Sequence, residues 1–87
     1  MYYIYIIESE IDSSLYIGYT RHLEQRLVKH NTSSSGYTSR KKPWVLRYTE
    51  EFDNKTDALI RERFLKRQKN REFYNKLFNN WSGSSVG

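Results

Sequence analysis

Apolar positions along this chain follow two different periodicities. From Tyr2 to Ile7 every residue is tyrosine or isoleucine, which reads as a strand covered on both faces. Leu15 to Tyr19 is a second β-type run, and the mostly polar stretch from Glu10 to Ser14 is turn-like. So short a connection predicts an antiparallel hairpin. Gly18 weakens its strand and marks a bulge or a place where another group comes close. After Thr20 the period becomes helical. Leu23 and Leu27 form an apolar stripe, with Thr20 as N-cap and Asn31 as the stop after His30. Thr32 to Lys42 is a serine-rich loop closed by Pro43. Trp44 to Phe52 is strand-like. Asp53 and Asn54 are capping candidates for a helix from about Lys55 to Asn70. A shorter helix spans Arg71 to Asn80, with Phe73, Leu77 and Trp81 as contacts. The order is β-β-α-β-α-α. Residues 82–87 form a Ser/Gly tail expected to be flexible.

Composition narrows the class. A chain of 87 residues forms one domain, placed at residues 1–81, with little room for a separate recognition module. Cysteine is absent, which excludes disulfides and thiolate metal sites and suits a reducing compartment. No segment has the pattern of a signal peptide, and no apolar run approaches the ~20 residues that span a bilayer. A cytoplasmic protein without a membrane partner is the expectation. Net charge is +5, from 15 Lys+Arg against 10 Asp+Glu. Much of the excess lies in Arg40-Lys41-Lys42 and from Arg61 to Lys76, which favours a polyanionic partner, nucleic acid being the usual one. A solvated surface is the plain alternative. Eight tyrosines, four phenylalanines and two tryptophans are mostly core material in so short a chain.

Five residues stand out from this background. Strand alternation puts Tyr3, Tyr5 and Ile7 on one face, and Tyr16 shares a face with Gly18. Tyr5 and Tyr16 can therefore be neighbours, although the register is not legible in the sequence. A lone strand tyrosine is ordinarily packed, with its hydroxyl at the surface. Arg26 and His30 are four apart on one helix face, beside the Leu23/Leu27 stripe. An arginine there either snorkels or meets an anion, and a histidine at a helix end favours the dipole. Glu62 shares a side with Ala58 and Leu65, so its carboxylate needs a cationic or metal partner. Lys66 or Arg26 would serve as that partner in a purely structural role. One carboxylate cannot close a metal cage. It could hold one Mg²⁺ that keeps most of its waters and takes other ligands from a substrate phosphate.

Taken in order, Tyr3-Ile4-Tyr5, Tyr16-Ile17-Gly18, Arg26, His30 and Ala58-Leu59 with Glu62 resemble the GIY-YIG nuclease domain. The resemblance runs from Tyr2 to about Leu77. Tyr19-Thr20, His30-Asn31, Gly36-Tyr37-Thr38 and Pro43-Trp44 extend it to the small stand-alone bacterial type. It implies an α+β domain with a three-stranded antiparallel sheet flanked by about three helices. It also implies a metal-dependent endonuclease that hydrolyses phosphodiester bonds, with DNA ahead of RNA and branched or damaged DNA as candidate forms. By that analogy Tyr5 activates the attacking water, Tyr16 orients water or phosphate, and Arg26 neutralises phosphate charge. His30 assists the Tyr5 proton, and Glu62 ligates one Mg²⁺ or Mn²⁺. Arg26 and the metal would supply the cations that bring down a phenol pKa of ~10. Tyr5, Tyr16, Arg26 and Glu62 should then line one open basic pocket. Arg40, Lys41, Lys42, Tyr37 and Asn75 are candidate nucleic-acid contacts. Asn75, ahead of Asn70, is the nearest match to a further asparagine found in family enzymes. Tyr3 replaces the leading glycine of the family name, at a position that contributes to the sheet. The alternative is a nucleic-acid-binding module that has kept the fold without useful catalysis. A protein-interaction domain is a third reading.

Overall fold

Three strands build one antiparallel sheet in the order β2-β1-β3: β1 Tyr2–Ser9, β2 Leu15–Thr20 and β3 Trp44–Phe52. The computed structural model describes residues 1–32, 34 and 36–81. Four helices follow the chain: α1 Leu23–Thr32, α2 Tyr37–Arg40, α3 Lys55–Gln68 and α4 Arg71–Asn80. The central position of β1 explains its unbroken apolar run. Ile4 and Ile6 face one side, where they pack with Ile17, Ala58, Leu65, Tyr74 and Phe78 under α3 and α4. Tyr5 and Ile7 face the other, with Trp44, Tyr16 and the α1 residues Leu23 and Leu27. A strand buried on both faces has no polar side to alternate with.

The register is fixed by this double burial, because a one-residue slip would exchange the two faces. Tyr5 stands opposite Gly18 in β2 and opposite Thr49 in β3. Tyr16 pairs with Ile7, which makes Tyr16 a diagonal neighbour of Tyr5 on the same face.

Several local expectations are corrected. Thr20 does not cap α1; its hydroxyl accepts the His22 N–H at 3.0 Å, in a turn that precedes the helix. Asn31 does not stop α1, which runs on to Thr32. Its side chain instead accepts the Trp44 N–H at 2.6 Å and donates to the Trp44 carbonyl at 3.3 Å. Two bonds to a strand backbone outweigh a local preference for ending a helix. Within the serine-rich loop lies α2, which the Trp44 indole reaches by donating to the Thr38 carbonyl at 2.9 Å. The next helix ends at Gln68, with Lys69 in the left-handed conformation. Asn54 caps α3 by accepting the Asp57 N–H, and Asn70 caps α4 by accepting the Glu72 N–H. The Ser/Gly tail lies outside the described residues.

Candidate active site

The absence of a side chain at Gly18 decides where Tyr5 goes. A Cβ at Gly18 would stand 2.7 Å from the Tyr5 hydroxyl and 2.9 Å from its ring carbon Cζ. The tyrosine lies over the bare backbone of the edge strand, and its phenol points at α1. There His30 sits one turn beyond Leu27, carried to the sheet by the apolar face of the helix. The Tyr5 hydroxyl and His30 Nε2 are 2.9 Å apart, in a buried hydrogen bond. Tyr5 is 1% exposed and His30 7%.

Burial pushes the Tyr5 phenol well above its ordinary range, and the neighbouring Tyr16 and Glu62 charges add to this. Arg26 pulls it down but does not outweigh burial. The expectation that Arg26 would make this phenol more acidic therefore holds only for its sign. Burial, with Arg26 and Lys29 behind it, lowers the His30 pKa. At neutral pH the pair is a protonated phenol beside a neutral imidazole, and the phenol donates when Nε2 carries no proton.

Tyr16 is half-buried and stacks on Tyr5 with ring centroids 6.3 Å apart; it lies 4.9 Å from His30. Trp44 backs this group at 6.3 Å from Tyr16 and 6.5 Å from His30. At 4% exposure Trp44 is core packing. Trp44 and Asn31 together position His30 and Tyr16, a role not foreseen from the sequence. A polar residue one place beyond a helix histidine was the signal, and helix-end propensity hid it.

Arg26 is half-buried, has no carboxylate partner among the described residues, and bears on both Tyr5 and His30. Glu62 pairs with Lys66 at 3.2 Å, the structural alternative read in the sequence. Yet its side chain is only 16% exposed, and its charge acts on Tyr5. The carboxylate holds a surface lysine, and among the described residues no hydrogen bond or ion pair joins it to either phenol. Because Tyr5 is sealed, the four residues do not line a single open pocket. Tyr16, Arg26 and Glu62 are each partly exposed, and of the three Arg26 lines a cleft.

The predicted nucleic-acid contacts fall elsewhere. Lys41 is tied to Asp12, whose carboxyl this bond holds well below the usual range, and the Lys41 carbonyl accepts the Ser9 hydroxyl at 2.6 Å. Arg40 is exposed at the end of α2, and Lys42 is half-buried. Tyr37 opens α2, and its side chain lies outside the described residues. Asn75 is exposed on α4, a helix whose buried residues pack on the sheet face opposite Tyr5. Neither Lys41 nor Asn75 joins the tyrosine cluster.

A small α+β domain that packs two phenols against an imidazole, with a guanidinium bearing on them, defines a class of site suited to anionic substrates. Comparison with known proteins identifies the class more closely. The family model described as the GIY-YIG catalytic domain matches residues 1–77. A UPF0213 protein of Staphylococcus saprophyticus is 45% identical over 62 residues, covering 70% of this chain and 74% of its own length. A UPF0213 protein of Halobacterium salinarum is 40% identical over 63 residues, covering 71% and 80%. The solution NMR structure of the UPF0213 protein from Bacillus halodurans superposes with a TM-score of 0.57 at 28% identity, over 92% of this chain and 86% of that one. The chain belongs to the GIY-YIG family, a family of nucleases.

Proposed function

We propose that this protein is an endonuclease that hydrolyses phosphodiester bonds, in DNA ahead of RNA, with the help of one divalent ion. The observation that carries the reading is the buried Tyr5–His30 hydrogen bond, set beside an Arg26 that has no carboxylate partner among the described residues. In this reading Tyr5 takes a proton from an attacking water as its own proton moves to His30 Nε2. A high phenol pKa and a low imidazole pKa keep both groups neutral and disfavour a free phenolate, so Tyr5 would give its proton to His30 only as it takes the proton of the water. Arg26 offsets charge that grows on the phosphate oxygens. Tyr16, the more open phenol, orients the water or the phosphate.

Among the described residues no three His, Asp or Glu side chains are grouped to hold a metal. That donor set does not fit a closed metal cage. It fits a hard ion that keeps most of its waters and needs one carboxylate, as Mg²⁺ and Mn²⁺ do. Glu62 is the residue that would hold it, exchanging Lys66 for the ion. When bound, such an ion supplies Lewis-acid stabilisation of the departing 3′ oxygen.

One observation favours the alternative of a binding module without useful catalysis. Tyr5 is sealed at 1% exposure, as an ordinary core tyrosine would be. The two readings separate in a cleavage screen of plasmid, branched and single-stranded DNA and of RNA, with Mg²⁺, Mn²⁺ or chelator. Metal-dependent nicking supports the nuclease. Binding in every arm with no cleavage in any supports the module.

A further inference from the structure

Tyr2, Tyr19, Arg21, His22, Arg26 and Lys55 line one cleft of about 430 Å³ at the edge of the sheet. A hollow of about 180 Å³ continues it along α1, sharing His22 and Arg26 and adding Lys29. Among the described residues, no acidic side chain lines either space. The ion pairs among those residues lie elsewhere. Arg47 and Arg71 share Glu8, Arg61 binds Glu50, Lys66 binds Glu62 and Lys41 binds Asp12. The two basic stretches that look strongest in the sequence are thus partly neutralised by the fold. Arg21, Arg26, Lys29 and Lys55 are scattered along the chain, have no carboxylate partner among the described residues, and converge here.

Cations gathered without counter-charge repel one another, so an anion that spans them gains from all of them. The Arg21 guanidinium is already held over the Tyr2 ring, 5.4 Å from its centroid, which orders it before any ligand arrives. The cleft is the size of a small-ligand site and too small to enclose a duplex. Arg26 belongs both to this cleft and to the Tyr5–His30 cluster. An anion in the cleft and a phosphate at the cluster would therefore share one guanidinium. That geometry suits consecutive phosphates of one strand better than two unrelated anions.

We infer that this cleft seats the nucleotide next to the scissile phosphodiester, with Arg21 and Lys55 pairing with its phosphate. The inference rests on the nuclease reading above and names where its substrate strand lies. Arg21 and Lys55 are exposed, so their replacement leaves the core intact.

The test is fluorescence anisotropy of the full chain with short labelled single strands, DNA and RNA of one sequence, in chelator and over a salt series. Removing one cation that neutralises a single-strand phosphate lowers the slope of log affinity against log salt by about 0.7. The double variant Arg21→Ala/Lys55→Ala should lower it by about 1.4 with at least one of the two strands. Arg21→Lys/Lys55→Arg should restore it. Arg63→Ala/Arg67→Ala on α3 removes the same charge and should keep the wild-type slope. An unchanged slope in the cleft variant, or an equal fall in both double variants, overturns the inference. If the cleft variant keeps its slope while wild type still cleaves with metal, only this inference falls. If wild type binds neither strand at low salt, the nuclease reading falls with it.

Discussion

The Tyr5 hydroxyl occupies the space that a Cβ at Gly18 would need, 2.7 Å from that position. Tyr5 cannot simply rotate away, since it is 1% exposed and bonded to His30. Gly18→Ala must therefore shift either the phenol or the edge strand. Overpacking of this kind costs about 1–3 kcal/mol. The variant should unfold at lower denaturant and lose most of its cleavage activity together. Unchanged stability would show that the phenol is not held where it is described.

Neutral His30 links folding to pH, and on the nuclease reading it links cleavage to pH as well. Its pKa is depressed in the folded protein by burial and by Arg26 and Lys29. The unfolded chain therefore binds a proton more readily than the folded one. The stabilising contribution is complete above the ordinary histidine value of 6.5 and is lost as pH falls through the lower folded value. Denaturation midpoints should drop on acidification in that window. His30→Gln should flatten this dependence. Cleavage by wild type should fall with the same acid limb, because a protonated imidazole cannot take the Tyr5 proton. A wild-type stability that rises as pH falls below 6.5 would reverse the assignment.

Asn31 holds Trp44 through both backbone groups, and Trp44 backs His30 and Tyr16. Asn31→Ala leaves two partly buried backbone groups without those partners, at about 1–3 kcal/mol in stability. Asn31→Asp keeps the acceptor for the Trp44 N–H and loses the donor to its carbonyl, so it should cost less. The two variants ranked by chemical denaturation check the clamp, and equal losses would contradict it.

Much of the fold was legible because the unbroken apolar run of β1 and the helical apolar stripe of α1 are what burial later uses. The double-sided run of β1 told of a central strand, and Leu23 with Leu27 told which face of α1 packs. What stayed hidden was tertiary. Asn31 looks like a helix stop because local propensity ignores a strand thirteen residues on. Lys41 looks like a nucleic-acid contact because its partner Asp12 is distant in sequence. The candidate site was legible as a set of residues, since helical spacing groups Arg26 with His30. Its exposure was not. Tyr5 and Tyr16 are equivalent tyrosines in sequence; the central place of β1 and the bare Gly18 opposite bury Tyr5, while Tyr16 on the edge strand stays half-open.

On the proposed reading, the Glu62 carboxylate separates a working nuclease from an inert module. Its most direct test is single-turnover cleavage, in Mg²⁺ or Mn²⁺, of whichever nucleic acid the wild type cuts. Glu62→Gln is compared with Lys66→Ala and with wild type. Lys66 is only the surface partner of Glu62, so its removal should leave cleavage intact. Glu62→Gln should abolish metal-dependent cleavage while binding persists. Full cleavage by Glu62→Gln would contradict the metal-dependent mechanism.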